Sequence, residues 1–281
     1  MFVHCADPLA PRRADPHYAG EVAAGGVLID HDALLAGDTA GAVARVRRGA
    51  GPAWYRGWMM PSDRYAALWE ALAERGVTLL TSPEHYRRAH ELPGWYGVFG
   101  GATPVSAWLP LSSGRAPDAG SLAAVARRLG GGPGIVKDYV KSRKHEWHEA
   151  CYVPDLADTD QLTRVATRFV ELQEEYLTGG LVLRRFEEFD GTGEARVWWV
   201  DGEPVLTTPH PDAPEQRPVP ELGFVAPLVA ALGCRFLTTD LARRTDGVWR
   251  VVEAGDGGVS DLPRCTAADP LMRALAAAAT T

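Results

Sequence analysis

The sequence predicts an α/β fold made of more than one structural unit. A clear amphipathic helix is followed at once by an apolar strand, and two Asp-Gly turns each separate a pair of β-rich runs. The length of 281 residues also exceeds one typical domain. Apolar residues make up 46% and charged residues 23%, which is typical of a globular chain and excludes a disordered, collagen-like or coiled-coil protein.

The first predicted domain covers residues 1–111. Its clearest helix is SDRYAALWEALAER at 62–75, with Ser62 as the expected N-cap and Gly76 as the stop. Apolar side chains recur there at helical spacing, at Tyr65, Leu68, Trp69 and Leu72. Short apolar runs at 26–29 and 77–80 predict strands, so this domain is expected to alternate helices and strands.

The second and third predicted units cover residues 119–183 and 184–281, after a linker at 112–119. The second unit should contain a helix at 119–129, a strand at 135–140 and a helix at 158–177 capped by Asp158 or Thr159. The third should contain two hairpins, turning at Asp201-Gly202 and Asp246-Gly247, and an alanine-rich terminal helix. The predicted strands of these hairpins are 195–200, 204–206, 236–238 and 249–252.

Charge and composition narrow the function class. The net charge is −7, which disfavours general binding to nucleic acid or to an anionic membrane. No run approaches the roughly 18 apolar residues of a membrane span, and the N-terminus has no secretory pattern. The four cysteines lie far apart, which disfavours a disulfide framework or a zinc ribbon. We therefore expect a soluble protein of a reducing compartment, the cytoplasm.

Familiar catalytic signatures are absent from the sequence. The lysine that follows the glycine run 130–134 does not complete a P-loop, and that run precedes a strand where a dinucleotide-binding glycine loop would follow one. His145 and His148 do not form HExxH, and a polar surface patch is the favoured interpretation of that pair. No GxSxG nucleophile motif is present.

A basic segment at 137–149, KDYVKSRKHEWHE, is the first candidate site. It carries four cations in eight residues, at Lys137, Lys141, Arg143 and Lys144. Such a segment can be a solvated face, or it can hold a polyphosphate, because flexible lysines and a loop serine follow phosphate oxygens well. Lys137 ends an apolar strand, so its side chain is the one most expected to point inward.

Acidic residues near the C-terminus form the second candidate site. Asp240 and Glu253 come from neighbouring predicted strands and can lie side by side, with Asp256 three residues further on. Such hard oxygen ligands suit Mg²⁺, although Asp240 and Asp256 could equally stabilise turns. Glu194 and Arg196 alternate with apolar residues on one strand and share a face, either as a surface ion pair or as part of a site.

In this order, the motifs resemble those of the ATP-grasp superfamily. The closest likeness is to a divergent group with a VKDYVKS-type segment and an E-x-GDG-type end, which here are VKDYVKSRKHEWHEA at 136–150 and VEAGDGGVSDLP at 252–263. The segments PAWYRGWMM at 52–60 and PEHYRRAHELPGWY at 83–96 are similar to that group too. Most ATP-grasp enzymes end in E-x-N, whereas here position 255 is Gly and Asp256 follows it.

The resemblance implies an N-terminal pre-ATP-grasp domain and two α+β lobes that grip ATP and Mg²⁺. It implies that Lys137 contacts the phosphates and that Ser142 and Lys144 lie on the phosphate-covering loop. Phe186 and Glu187 would offer hinge backbone to adenine, with Glu188 near the ribose and Glu194 among the nucleotide-binding residues. Asp240, Glu253 and Asp256 would hold Mg²⁺. Arg196 would face the transferred phosphoryl group or the substrate, and Arg56 would clamp a substrate carboxylate.

The activity implied by this resemblance is ATP-dependent carboxylate–amine ligation through an acylphosphate, with release of ADP and phosphate. Two alternatives remain open: a small-molecule kinase, and a non-catalytic nucleotide-binding or RNA-end-binding protein. The expected partners are small carboxylate and amine substrates, with no membrane and no nucleic acid. A homodimer is a family-level expectation only.

Overall fold

A computed structural model describes residues 1–22 and 26–280. It contains three β-sheets with helices packed against them, which confirms the α/β class. None of the helices in these ranges is long and apolar enough to cross a membrane.

The first sheet is mainly parallel and lies in the N-terminal part of the chain. Strand β1 pairs in parallel with β3 and β4, β4 pairs in parallel with β5, and β2 runs antiparallel to β1. The strands are β1 (Phe2–Asp7), β2 (Ala10–Ala14), β3 (Val27–Ile29), β4 (Gly51–Arg56) and β5 (Val77–Leu79). The helices of this part are α1 (His31–Leu35), α2 (Thr39–Ala42), α3 (Ser62–Ala73), α4 (Pro83–His90) and α5 (Leu92–Phe99).

Helix α3 confirms the predicted helix but not its cap. Tyr65, Leu68 and Leu72 are buried, as the spacing predicts. Pro61 occupies the N-cap position, and Ser62 is the first helical residue. The Ser62 hydroxyl donates to Glu91 Oε1 at 2.7 Å, so it bonds to a neighbouring carboxylate and leaves the helix end uncapped by a side chain.

The second sheet is antiparallel, in the order β6-β9-β7-β8. Its strands are β6 (Ser106–Pro110), β7 (Gly134–Asp138), β8 (Tyr152–Val153) and β9 (Gly180–Arg185). Helices α6 (Ala119–Arg127) and α7 (Thr159–Gln173) share an apolar core with one face of this sheet. Asp158 caps α7 by accepting from Gln161 N at 2.9 Å, as expected. A 3-10 turn (Lys144–Glu146) and a π turn (Trp147–Cys151) join β7 to β8.

The third sheet is antiparallel, in the order β11-β10-β12-β13. Its strands are β10 (Phe189–Val200), β11 (Glu203–Pro209), β12 (Phe236–Arg244) and β13 (Trp249–Asp256), accompanied by α8 (Ala226–Leu232) and α9 (Asp269–Ala278). Both hairpins are present. Asp201 and Gly202 have φ of 48° and 85°, the left-handed pair that a tight β-hairpin turn requires.

Strands β12 and β13 are longer than the apolar runs predict. The sequence places Asp240 just after its strand and Glu253 at the end of its own, yet both lie inside strands. The strands continue because backbone pairing with β10 on one side and between β12 and β13 on the other does not depend on apolar side chains. This continuation determines which face each acidic side chain occupies.

The predicted domain boundaries remain predictions, and the packing crosses the first of them. Strand β6 falls within residues 1–111 but pairs with β9 of the second sheet. Helices α4 and α5 contribute Ala89, Leu92, Trp95 and Phe99 to the core beneath the third sheet. The third sheet is therefore covered by helices that precede the expected linker.

Candidate active site

A row of three charged side chains crosses the third sheet. In the strand register, Arg196 of β10 lies opposite Asp240 of β12, which lies opposite Glu253 of β13. Arg196 makes a two-point ion pair with Asp240, from Nε to Oδ1 and from Nη2 to Oδ2, both at 2.8 Å. Its Nη1 donates to the Asp261 carbonyl at 3.1 Å. Asp240 and Glu253 thus lie side by side, as the sequence predicts.

Lys137 reaches this row from the second sheet. Its Nζ lies 3.6 Å from Glu253 Oε1 and donates to the Val140 carbonyl at 3.2 Å. Burial lowers the pKa of Lys137, while Glu253 opposes that shift. Burial would raise the pKa of Glu253, but the cations of Lys137, Lys141, Lys144 and Arg196 lower it to about 2. The Lys137–Glu253 pair therefore joins the facing sheets with an ionised carboxylate.

A second acidic group adjoins the row. Within residues 1–22 and 26–280, Glu194, His210 and Asp240 are the one set of three whose ligand atoms lie close enough to share an ion, all within 4.8 Å of one another. Burial and the nearby Asp240 carboxylate raise the pKa of Glu194 to about 7. Crowded carboxylates of this kind are relieved by a bound cation, so their oxygens fit Mg²⁺.

His210 is a site residue that the sequence did not reveal. Its Nε2 lies 3.7 Å from Asp240 Oδ2, and its Nδ1 accepts from the Asp212 backbone N at 3.2 Å. Burial lowers its pKa. The sequence indicated the loop 207–221 only as a place for substrate selection, because nothing local links position 210 to position 240.

Asp256 is not brought together with Asp240 and Glu253. It lies three residues after Glu253 in a regularly paired strand, so the two side chains leave opposite faces. Its Oδ1 accepts from Gly258 N at 2.8 Å, and its Oδ2 is buried without a partner in the described part of the chain. Burial raises the pKa of this carboxyl to about 7. The structure places Asp256 inside the protein, away from the charged row.

The loop expected over the phosphates begins beside Lys137. Ser142 forms an isolated β-bridge with Lys137, so the chain folds back over the end of β7. Asp138 holds this turn by accepting from Val140 N at 2.7 Å and Lys141 N at 2.5 Å. Burial opposes protonation of Lys144, but Glu194 and Glu253 raise its pKa overall. Ser142 and Lys144 therefore stand at the mouth of the charged row.

The predicted hinge residues directly follow β9. Phe186 N donates to the Pro133 carbonyl at 2.9 Å, and the Glu188 carbonyl accepts from Thr245 N at 3.1 Å. The Glu187 carboxylate pairs with Arg250 at 2.9 and 3.0 Å. The Phe186 ring packs edge-on against Trp147 and Tyr152, with centroids 5.8 and 5.5 Å away. These residues form the connection between the second and third sheets.

Arg56 does not face an open site, contrary to its expected role as a carboxylate clamp. It is completely buried and makes a two-point ion pair with Glu21 at 2.6 and 2.7 Å. Its Nη1 donates to the carbonyls of Gly257 at 2.6 Å and Ser260 at 2.9 Å. The guanidinium thus ties the first sheet to the segment after β13. The sequence could not reveal this, because these partners are distant along the chain.

Arg184 is a second residue that the sequence missed. It is buried on β9 opposite Ile135, which places it on the face of the second sheet that carries Lys137. Its Nη2 donates to Thr103 Oγ1 at 2.6 Å, while its Nε has no partner within residues 1–22 and 26–280. Burial lowers its pKa to about 10. The alternation of β9 was the signal available, since Arg184 follows two positions after Val182.

Comparison with protein families decides the family. A family model described as an ATP-grasp domain, family 3 of its clade, matches residues 128–275. The chain belongs to this ATP-grasp family. The match confirms the superfamily expected from the motifs and supports the prediction of an ATP-dependent ligase. No curated protein matches the chain.

Solved structures share the ATP-grasp fold over nearly the whole chain. D-cycloserine synthetase DcsG is 15% identical, with a TM-score of 0.63 over 99% of this chain and 98% of that one. A RimK domain ATP-grasp protein from Sphaerobacter thermophilus is 13% identical, with a TM-score of 0.57 over 92% of both chains. The ATP-grasp ligase PsnB, solved with a minimal precursor, Mg and ADP, is 16% identical, with a TM-score of 0.54 over 100% of this chain and 98% of that one. At these identities the likeness concerns the fold.

Proposed function

We propose that this ATP-grasp protein is an ATP- and Mg²⁺-dependent carboxylate–amine ligase that works through an acylphosphate. The observation that carries the proposal is the charged row Arg196–Asp240–Glu253 facing Lys137 across two sheets. Cations and hard oxygen ligands stand together there, as the transfer of a phosphoryl group requires. The fold shared with PsnB, which was solved with Mg and ADP, supports the same nucleotide and metal.

Lys137, Ser142 and Lys144 would hold the phosphates. Lys137 is almost fully buried and already pairs with a carboxylate, so it is held in position before any ligand arrives. Ser142 and Lys144 lie on the loop that folds back over it. The unpartnered Nε of Arg184 lies on the same sheet face and offers a further donor.

Adenine would bind at the connection after β9. Phe186 N and the Glu188 carbonyl are already bonded within the protein, whereas the backbone of Glu187 has no such bond within residues 1–22 and 26–280. We therefore place the adenine contact at the main chain of Glu187. Glu188 is half-buried and follows directly, so it can reach a ribose hydroxyl.

Asp240 and Glu253 would hold Mg²⁺, with Glu194 as a third oxygen donor. When bound, the metal would neutralise the phosphate oxygens during transfer. Arg196 keeps both Asp240 oxygens oriented and adds positive charge next to the transferred group. Asp256 lies on the other face of its strand and is left out of this set.

The proposed chemistry has two steps. A carboxylate oxygen attacks the γ-phosphorus of ATP, the bond to the β,γ-bridging oxygen breaks, and ADP leaves with the electron pair. An amine then attacks the acylphosphate carbon, the bond from carbon to the phosphate oxygen breaks, and phosphate leaves while the amine proton passes to solvent. The residues of the row bind and orient the reactants and stabilise charge.

Two alternatives make different products. A small-molecule kinase would stop at a stable phosphorylated product, and a nucleotide-binding or RNA-end-binding protein would hold ATP without releasing ADP. The test supplies ¹⁸O-labelled carboxylates with ATP, Mg²⁺ and hydroxylamine as the amine. We expect hydroxamate, ADP and inorganic phosphate that carries ¹⁸O. A stable phosphorylated product without free phosphate would favour the kinase, and bound ATP without ADP release would favour the non-catalytic protein.

A further inference from the structure

A second recess of the molecule lies outside the charged row. It is a cleft of about 1470 Å³ between the starts of α3 and α4 on one side and the segments 140–146 and 173–179 on the other. We call it the acceptor cleft. Sites for small molecules typically measure about 300–1,000 Å³, so this cleft exceeds what one amino acid needs.

The acceptor cleft reaches the proposed phosphate site. Lys141, Ser142 and Arg143 of the phosphate-covering loop form part of its wall. His90 lines it from α4 and lies within electrostatic range of Lys137 and Glu253. A molecule in the cleft can therefore extend one end towards the group that ATP transfers.

Two cations of the cleft wall are free to bind a ligand. Arg64 and Lys141 make no ion pair with any residue in the described ranges 1–22 and 26–280. Asp63 and Glu175 line the cleft too, so its wall carries both signs of charge. Mixed charge of this kind suits a peptide with a free carboxylate better than it suits a polyanion.

The rim of the cleft exposes apolar surface. Tyr176 is 73% exposed and Leu35 is 39% exposed, although both are large and apolar, and Met59 and Leu177 lie further in. Exposed aromatic side chains beside a recess are typical anchors for a bound chain. The ring of His90 adds a hydrogen-bonding group that burial keeps uncharged, since burial lowers its pKa to about 4.

We propose that the acceptor cleft binds a peptide and that a carboxylate of this peptide is the group activated. Tyr176 packs against the peptide at the rim, and Arg64 and Lys141 bind its carboxylates. This inference rests on the proposed function and narrows one of its substrates from a small carboxylate to a peptide.

The test compares two substrate pools at equal total carboxylate concentration, with ATP, Mg²⁺ and hydroxylamine. One pool holds random hexapeptides and the other holds the twenty free amino acids. We expect hydroxamate and ADP with the hexapeptides and little with the amino acids. Equal or better turnover of the free amino acids would overturn the peptide proposal while leaving the ligase intact. Neither pool giving turnover in a protein that binds Mg-ATP would also overturn it, and a protein that fails to bind Mg-ATP would overturn both proposals.

Matched variants then test the cleft itself. Tyr176→Ala should raise the KM for the hexapeptide pool by about fivefold or more, as the loss of an aromatic anchor does. Leu9→Ala removes a similarly exposed apolar side chain, 96% exposed, outside the cleft and should leave this KM unchanged. Equal KM values for the two variants would contradict the placement of the peptide. Thermal shifts with Mg-ATP should be the same for both variants.

Discussion

Two arginine–carboxylate pairs in this protein have the same local geometry and different surroundings. Arg56–Glu21 and Arg196–Asp240 are both two-point pairs with donor–acceptor distances of 2.6 to 2.8 Å. Arg56 also donates to two carbonyls and lies between the Tyr18 and Trp198 rings, at 5.8 and 5.3 Å from their centroids. Arg196 adjoins Glu194, His210 and Glu253, which have no such closed set of partners in the described part of the chain.

The difference shows how an ion pair becomes structural or reactive. The Arg56 guanidinium is bonded entirely within the protein, so the pair holds two parts of the chain together. Around Arg196, the acidic groups crowd one another enough to raise the pKa of Glu194 to about 7. That excess of negative charge is balanced only when a cation or a cationic group is added.

The largest expected effect is on folding. Arg56→Met should lower the free energy of unfolding by about 3–5 kcal/mol, because it leaves Glu21 buried and unpaired. Arg235→Met is the matched control, since Arg235 makes a two-point pair with Asp201 in a more exposed place, and it should cost about 1 kcal/mol or less. Urea unfolding followed by circular dichroism measures both. Equal losses for the two variants would show that the Arg56 pair is not a structural tie.

The next effect is on turnover. Arg196→Lys should reduce ATP turnover by about 10²–10³-fold, because a lysine cannot hold both Asp240 oxygens while facing the transferred group. Arg243→Lys changes an ion pair on β12 outside the row and should keep near-normal turnover. ADP release under saturating ATP is the readout. Unimpaired release by folded Arg196→Lys would remove this arginine from the site.

The smallest effect is a pH dependence that separates Asp256 from the row. Its folded pKa of about 7 lies above the ordinary value of 3.8, so the folded protein holds this proton more tightly than the unfolded chain. Stability should therefore be fully present below about pH 4 as far as this group is concerned, and fall as pH rises towards 7. Asp256→Asn should flatten that fall, giving a higher melting temperature than wild type at pH 8.

Asp256→Asn also tests the metal set. Because the structure places Asp256 on the opposite strand face from Glu253, the variant should retain the magnesium-dependent part of ATP binding, measured by calorimetry. A loss of magnesium dependence equal to that of Glu253→Ala would restore Asp256 as a ligand.

The sequence could predict the parts of the site that depend on local periodicity. The Asp-Gly turn placed β12 beside β13 and hence Asp240 beside Glu253, and strand alternation placed Glu194 with Arg196. The prediction for Asp256 was wrong about its neighbours because the predicted strand ended near Glu253, so strand alternation could not be extended to position 256. Arg56 and His210 depend on partners far along the chain, which no local pattern encodes.

The fold was predictable to a similar depth. Helix α3, helix α7 and both hairpins follow from spacing and turn residues. The pairing of β6 with the second sheet and the packing of α4 and α5 beneath the third depend on tertiary contacts between apolar faces, and any apolar face could have served.

The most direct test of a magnesium-nucleotide site at the charged row is the melting temperature with and without millimolar ATP and Mg²⁺, for wild type and Glu253→Ala. A ligand at 100 times its Kd stabilises by about 2.7 kcal/mol, which corresponds to roughly 5 °C for a chain of this size. We expect a magnesium-dependent rise in wild type and none in the folded variant. The same rise in both proteins, or no rise with any nucleotide, would contradict the assignment of the row as the nucleotide and metal site.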